Sequence, residues 1–373
     1  MPVSIGNPER LPDGREVFEV LLWREGGLRC RFLTLGATLA SLRVPLPGGG
    51  SREVVLGYPA ATQYLTGSDY LGAVVGRYCN RIRHGRFSIG GRQFQLDRNE
   101  GDHHLHGGPA GFHRRCWTVE PAIGFNKANV TQTGEWPDID AVRFHLVSED
   151  GDQGYPGRVE VTVTCRLQDD MTLVYEYEAS SDRPTIINLT QHAYFNLGMT
   201  SDVLDHRLQV NASRYAPIDE SLLPDGTLAD VAGTPLDFRQ VRRLGDDIRA
   251  PLLRATGGYD HSLLLASAPG QAACMLVDPD SVLALTVSTD QPAVHVYTGN
   301  FLGAAGGTGA GRRQLPVAWG RHAGVCLETQ HFADSPNQPG FPSTLLLPGS
   351  RFRSTTSLGF SRPSTEFIYL TYE

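Results

Sequence analysis

The chain has 373 residues, 40% of them hydrophobic, which is enough to bury a large core. Its formal net charge of −7 argues against nucleic acid as a partner, because binding to phosphates requires an excess of basic side chains. Lys127 is the only lysine, which leaves little room for a Schiff-base mechanism, and the sequence contains no Gly-Lys-Ser/Thr phosphate loop.

Targeting and redox signals are also missing from the sequence. The N-terminus has no basic and apolar leader, and no run approaches the length of about 18 apolar residues that a membrane span needs. We therefore expect a soluble, cytoplasmic protein with no membrane partner. The cysteines are scattered without a CxxC pair, which predicts buried free thiols. They are Cys30, Cys79, Cys116, Cys165, Cys274 and Cys326.

Short apolar segments punctuated by glycine and proline dominate the N-terminal part of the chain. They predict strands at 18–22, 30–35, 37–44 and 53–57, and a short helix at 59–65. Further on, alternation of apolar and polar residues at 159–167 and 173–177 predicts a hairpin.

The same pattern returns near the C-terminal third of the chain. Leu283, Leu285 and Val287 continue the alternation. Apart from the short helix at 59–65, only the region 241–253 leaves a helix open as an interpretation. Strand after strand between turns predicts an all-β fold, a large antiparallel β-sandwich. No break in composition divides it, so we predict a single domain over residues 1–373.

Two polar clusters in the first third are candidates for ligand binding. Asn80 and Arg81 follow an apolar segment, and amide and guanidinium groups suit sugar hydroxyls; an arginine that only ties down a loop is the alternative. His104 and His106, two residues apart, could share one face of a strand and hold a metal. No HExxH or cysteine cluster completes such a site, so His106, placed before two glycines, is the better candidate for ligand binding.

Two segments in the second half carry polar residues in an apolar setting. His192 lies in the strand-like stretch 188–197, and histidine can donate a proton near neutral pH; a structural core histidine is the alternative. Asp260 and Gln291 lie at turns, where such residues most often only shape the turn.

Glu328 is the most unusual residue of the C-terminal part. Val325 and Leu327 alternate with Cys326 and Glu328, which predicts a strand that places a carboxylate inside an apolar segment. Because an unpaired buried carboxylate is costly, we interpret Glu328 as a catalytic base with partners elsewhere in the chain. The residues 334–339 that follow are predicted to form a loop that builds part of the site.

Taken together, these segments resemble the aldose 1-epimerase (galactose mutarotase) family from about Phe18 to the C-terminus. The signatures around His192 and Glu328 are the most specific. The matching segments are 76–82, 105–108, 154–157, 188–197, 258–261, 296–302 and 327–339.

The resemblance implies a galactose mutarotase-like supersandwich that interconverts the α and β anomers of free aldoses without a cofactor or a metal. It implies Glu328 as the general base on the C1 hydroxyl and His192 as the general acid on the ring oxygen. It also implies a set of residues that hold the sugar hydroxyls: Asn80, Arg81, His106, Asp260 and Gln291. A small sugar would be the only partner, and we expect a monomer or weak homodimer.

Three departures from the family pattern stand out: Gln191 beside His192, Cys79 beside Asn80, and the longer stretch 126–139. Three other functions stay open. A hexose-6-phosphate 1-epimerase would need a basic cluster such as Arg312-Arg313 or Arg242-Arg243. A glycoside-processing enzyme would need two carboxylates flanking the bond, and a non-catalytic sugar-binding module would lack one member of the acid/base pair.

Overall fold

The computed structural model of the chain describes residues 2–67, 69–122, 133–136, 138–168, 171–280, 282–303 and 319–363. Lys127, most of the stretch 126–139 and the pair Arg312-Arg313 lie outside the described residues. Within the described ranges, the one α-helix is α1 (Ala61–Thr66), which overlaps the helix predicted at 59–65 and extends one residue beyond it. It begins where the Gln63 side chain accepts the Ala60 backbone N–H. No helix in these ranges is long and apolar enough to cross a membrane.

Strands account for most of the regular structure. The first half contains β1 (Val3–Ile5), β2 (Glu9–Arg10), β3 (Glu16–Val17), β4 (Glu19–Trp23), β5 (Arg29–Leu33), β6 (Thr38–Pro45), β7 (Ser51–Glu53), β8 (Val74–Val75), β9 (Arg81–Ile82), β10 (Arg86–Ile89), β11 (Arg92–Gln95), β12 (His104–Leu105), β13 (Thr118–Pro121), β14 (Gly134–Trp136), β15 (Ala141–Ser148), β16 (Val159–Gln168) and β17 (Thr172–Ser181). The second half contains β18 (Thr185–Ile186), β19 (Thr190–Gln191), β20 (Tyr194–Phe195), β21 (Arg207–Val210), β22 (Ala212–Tyr215), β23 (Ala229–Asp230), β24 (Arg242–Arg243), β25 (Asp260–Leu265), β26 (Ala272–Val277), β27 (Ala284–Thr289), β28 (Ala293–Tyr297), β29 (Val325–Gln330), β30 (Leu345–Leu346) and β31 (Phe352–Ser361). Short 3₁₀ turns lie at Arg83–Gly85, Phe112–Arg114, Asp152–Gly154, Pro251–Leu253 and Ser335–Asn337.

Three large antiparallel sheets organise these strands. The central sheet has nine strands in the order β13-β15-β16-β17-β31-β27-β26-β21-β24. One six-stranded sheet has the order β14-β1-β4-β5-β6-β7, and the other the order β20-β29-β28-β25-β22-β23. One apolar core contains buried residues from all three sheets, such as Phe32, Tyr175 and Leu327, which confirms the predicted all-β sandwich.

The alternation in the sequence corresponds to burial in the predicted hairpin. Val159 and Val161 of β16 are buried and Glu160 between them is exposed, as expected for a strand with one face on the core. β16 pairs with β17 in register from Val159 to Gln168, which confirms that prediction.

Two local predictions differ from the structure. The strand predicted at 53–57 is instead β7, which ends at Glu53, and Val55 makes only an isolated bridge to Phe195. The region 241–253 contains the short strand β24 and a 3₁₀ turn in place of a helix, because β24 pairs with β21 at the edge of the central sheet. In both places long-range pairing overrides the local pattern.

Candidate active site

The site is built on β29, β28 and β25, three neighbouring strands of the second six-stranded sheet. In this register His295 of β28 lies directly opposite Glu328 of β29 on one side and Ser262 of β25 on the other. Residues opposite each other in antiparallel strands project from the same face, and so do residues two apart. Glu328, His295, Ser262 and Asp260 therefore share one face of the sheet.

Glu328 and His192 form a buried pair. Oε1 of Glu328 lies 3.7 Å from Nε2 of His192, and their side chains are 2% and 4% exposed. His192 is fixed by its backbone, since its N–H donates to the Ala73 carbonyl and its own carbonyl accepts from Gly72. The second carboxylate oxygen of Glu328 is buried and has no hydrogen-bond partner among the described residues. The pair thus combines an available proton acceptor with an imidazole beside it.

His106 lies against the same imidazole and is held as a neutral hydrogen-bond donor. Its ring centroid is 5.1 Å from that of His192, and its Nδ1 accepts the backbone N–H of Asn80 at 3.1 Å. Because Nδ1 is an acceptor, Nε2 carries the proton. Burial, followed by the positive charges of His192 and Arg81, holds the pKa of His106 well below its usual value, so the ring stays neutral.

The glycines after His106 permit close packing of the backbone. Gly107 has a φ of +87°, and a Cβ built on it would lie 1.7 Å from the carbonyl oxygen of Gly76. The close approach that these glycines allow is therefore between two segments of the chain itself. His106 adopts a positive φ of 49°, which turns its side chain toward the site residues.

Arg81 is oriented by two hydrogen bonds to one carboxylate. Its Nε donates to Glu100 at 2.7 Å and its second terminal nitrogen at 2.8 Å, a bidentate pair. The Asn80 side-chain oxygen accepts the Arg81 backbone N–H, which leaves the amide NH₂ of Asn80 for other contacts. Burial opposes the charge of Arg81, but Asp260 and Glu100 outweigh it and raise the pKa.

The loop after β29 contributes to the site by fixing Arg81. Asp334 is fully buried, and its backbone N–H donates to the Arg81 carbonyl at 2.7 Å. Its side chain accepts the Arg83 backbone N–H at 2.9 Å. The predicted loop at 334–339 therefore exists as a short 3₁₀ turn that holds β9 in place.

Asp260 belongs to a buried chain of polar groups with His295 and Ser262. Nε2 of His295 lies 2.7 Å from Oδ1 of Asp260, and Nδ1 of His295 lies 2.8 Å from the Ser262 hydroxyl. Burial alone would raise the pKa of Asp260, but the hydrogen bond from His295 and the nearby Arg81 charge lower it to about 2. Asp260 is thus an anionic acceptor with one oxygen already engaged.

Gln291 is the one proposed sugar-binding residue that the structure does not bring to this cluster. It lies in the turn between β27 and β28, where its side-chain amide donates to Asp290 at 3.2 Å. His295, four residues further along and roughly 13 Å away in an extended strand, lies opposite Glu328 instead. Gln291 therefore lies outside the cluster, because strand register decides which residue of this segment faces Glu328.

His104 and His106 do not act together. The side chain of His104 contacts the Asp97 carbonyl through Nδ1 and the Tyr155 hydroxyl, at 2.6 Å, through Nε2. Burial lowers the pKa of His104 to about 4, so it is a neutral core histidine. The left-handed backbone at His106 sends the two side chains to different surroundings.

A different trio has the proximity that a metal site needs. Candidate ligand atoms of His106, His192 and Glu328 all lie within 4.8 Å of one another. A metal would require a lone pair on the site-facing nitrogen of His106. That nitrogen carries a proton because Nδ1 accepts the Asn80 N–H, so the arrangement suits hydrogen bonding to a neutral ligand better than metal coordination.

The two departures next to site residues are buried and make structural contacts. The Gln191 side-chain oxygen accepts the Ala193 N–H at 2.7 Å, and its amide reaches the Leu327 carbonyl at 3.5 Å. Cys79 pairs through its backbone with Asn188. Because these contacts are made within the fold, we interpret both departures as packing changes.

The remaining basic pair considered for phosphate binding lies in another sheet. Arg242 and Arg243 form β24 at the edge of the central sheet, and they are ion-paired with Asp247 and Asp205. Arg242 and Arg243 are thus engaged at a sheet edge, on a strand that does not belong to the site sheet.

Three site residues were missed at the sequence level: His295, Cys326 and Tyr70. His295 had a detectable signal, since it interrupts the apolar run of β28 just as Glu328 interrupts β29. Sγ of Cys326 lies 3.5 Å from Nδ1 of His192, which no pattern indicated. The Tyr70 ring packs on His106 and His192 with centroids 4.7 and 5.7 Å away.

Comparison with known proteins gives consistent matches over nearly the whole chain. The sequence profile of the aldose 1-epimerase family matches residues 19–359. The galactose mutarotase of Mus musculus is 39% identical over 354 residues, which cover 94% of this chain and 96% of that protein. The aldose 1-epimerase of Escherichia coli is 38% identical over 359 residues, which cover 95% and 98%.

Solved structures of similar proteins share the fold. The galactose 1-epimerase from Lactobacillus acidophilus superimposes with a TM-score of 0.80 at 30% identity, covering 97% of this chain and 99% of that chain. An aldose epimerase homologue from C. elegans also gives a TM-score of 0.80, at 28% identity, covering 93% and 99%.

Proposed function

Because this chain belongs to the aldose 1-epimerase family, we propose that it interconverts the α and β anomers of free aldohexoses such as galactose and glucose, without a cofactor. The observation that carries the proposal is the buried Glu328–His192 pair, 3.7 Å apart, with one carboxylate oxygen of Glu328 unpartnered among the described residues. Such a pair supplies a base and an acid at one point.

The reaction needs two proton transfers in each direction. Ionised Glu328 takes the proton from the C1 hydroxyl while protonated His192 gives the proton on Nε2 to the ring oxygen, and the ring opens to the aldehyde. Rotation about C1–C2 presents the other face of the aldehyde. The same two groups then run in reverse, so that His192 regains its proton from the attacking hydroxyl and Glu328 returns one to O1. Each transfer contributes about 10²- to 10⁴-fold.

The surrounding residues supply fixed donors and acceptors for the sugar hydroxyls. His106 offers Nε2–H from a neutral ring, Arg81 a guanidinium held by Glu100, and Asn80 its free amide. Asp260 offers an anionic oxygen. We assign these four residues to sugar binding and place His295 beside them in the role first expected of Gln291.

Polarimetry on freshly dissolved α-D-galactose and α-D-glucose tests the proposal. Wild-type protein is expected to accelerate the change in rotation, and Glu328→Gln to lose at least about 100-fold in kcat, because an amide cannot take a proton. Glu178→Gln makes the same chemical change on a partly exposed side chain of β17 and serves as the matched control.

Binding of the sugar to Glu328→Gln, measured by calorimetry, should persist. A Glu328→Gln variant with near wild-type kcat would overturn the assignment of the base. Wild-type protein that accelerates neither sugar would overturn the proposed activity.

We further propose a cytoplasmic protein that works as a single domain, as a monomer or weak homodimer, with a small sugar as its partner. The net charge of −7 supports the absence of nucleic acid from its function. Size-exclusion chromatography with light scattering measures the oligomeric state directly.

A further inference from the structure

Two imidazole rings, those of His106 and His192, pack edge to face in the site, and each has one nitrogen engaged by a different kind of group. The ring centroids of His106 and His192 are 5.1 Å apart. In a neutral histidine only one ring nitrogen carries a proton. The contact made by the other nitrogen decides which one it is. The two contacts therefore decide which ring only donates a hydrogen bond and which can exchange a proton.

At His106 the contact is unambiguous. A backbone N–H can only donate, so Nδ1 of His106 accepts from Asn80 and Nε2 keeps the proton. Burial keeps this ring neutral. Since Nε2 carries the proton, His106 has no lone pair on that nitrogen to offer toward His192 or the substrate. It is a hydrogen-bond donor and cannot act as a base through Nε2.

At His192 the contact comes from the strand that carries the base. Cys326 and Glu328 are two residues apart on β29 and so project from the same face. Sγ of Cys326 lies 3.5 Å from Nδ1, and Oε1 of Glu328 lies 3.7 Å from Nε2. One strand thus engages both nitrogens of the imidazole.

The protonated form of His192 fixes the direction of the sulfur contact. Both nitrogens of an imidazolium are donors, so in the acid form Nδ1–H donates to the sulfur. Burial, reinforced by the charge of Glu328, raises the pKa of the Cys326 thiol well above its usual value, so the sulfur is a neutral acceptor.

We propose that Cys326 is a positioning residue that keeps a proton on Nδ1 of His192, so that Nε2 alone gives up and regains the proton. The two site histidines are then held in opposite neutral tautomers, Nε2–H at His106 and Nδ1–H at His192. After His192 protonates the ring oxygen, its Nε2 lone pair faces the new hydroxyl and takes the proton back on closure. This inference rests on the proposed function and adds how the position of the proton on the general acid, His192, is controlled.

Nitrogen NMR of protein labelled at histidine, recorded above the histidine titration range, tests the tautomers. We expect Nδ1–H at His192 in wild type and in Cys326→Ser, whose hydroxyl oxygen can also accept. Cys326→Ala should shift His192 to Nε2–H and lower kcat about fivefold with an unchanged KM, the size of one lost hydrogen bond. If the alanine variant folds poorly, Cys326→Val replaces it, because valine fills the space without providing a hydrogen-bond acceptor. The same changes in tautomer and kcat are expected for Cys326→Val.

Cys274→Ala, at a buried thiol of β26 in the central sheet, is the matched control and should change neither tautomer nor kcat. An Nε2–H tautomer at His192 in wild type would overturn the proposal. Alanine or valine variants of Cys326 that keep both the wild-type tautomer of His192 and the wild-type kcat would also overturn it. The NMR signal does not depend on turnover. A wild-type protein without epimerase activity would therefore refute the proposed function separately.

Discussion

The charge on Asp260 should stabilise the fold as well as bind sugar. Hydrogen bonding by His295 and the field of Arg81 lower its pKa from 3.8 to about 2 although the side chain is buried. Asparagine mimics the protonated form, so Asp260→Asn removes the free energy that corresponds to this shift. At about 1.4 kcal/mol per pKa unit, the loss is about 2 kcal/mol of unfolding free energy at pH 7.

The sign of the pH dependence follows from the lowered pKa. The stabilisation is fully present above the unfolded-state pKa near 4 and is lost as the pH falls through the folded-state value near 2. The stability difference between wild type and Asp260→Asn should therefore be constant from pH 7 to 5 and shrink by about half at pH 3.

Urea denaturation at a series of pH values measures this difference directly. Asp102→Asn is the matched control, because the Asp102 side chain is 76% exposed and its ion pair with Arg98 should be worth less than about 1 kcal/mol. An Asp260→Asn variant as stable as wild type at pH 7 would refute the reasoning. So would a deficit that stays the same down to pH 3, since the charge would then not be its cause.

Two further substitutions test how the sugar is held. His295→Ala should raise KM about tenfold, because it removes the side chain opposite Glu328 and the hydrogen-bond partner of Asp260. The KM of Gln291→Ala should stay within about twofold of wild type. A larger rise in KM for Gln291→Ala than for His295→Ala would return Gln291 to the site. Glu100→Gln should raise KM about threefold to tenfold with a smaller effect on kcat, because Arg81 loses a charged bidentate partner. Steady-state polarimetry gives both constants, and a Glu100→Gln variant with an unchanged KM would show that Arg81 is oriented without Glu100.

The sequence by itself determined the class of the fold and singled out most of the residues that the structure brings together in the candidate site. Alternation along β16 and β17 reports directly which side chains face the core, because a strand turns successive residues to opposite faces. The same alternation made Glu328 conspicuous, since burying a carboxylate in an apolar strand is costly unless other groups of the protein interact with it.

Only the tertiary structure decided which residues meet. Register between β28 and β29 places His295, and not Gln291, opposite Glu328, and register is set by pairing between residues far apart in the chain. The tautomer of His106 depends on a backbone N–H of Asn80, 26 residues earlier in the chain. Local sequence cannot encode such contacts, because they arise when separate segments pack and exclude water from the groups between them.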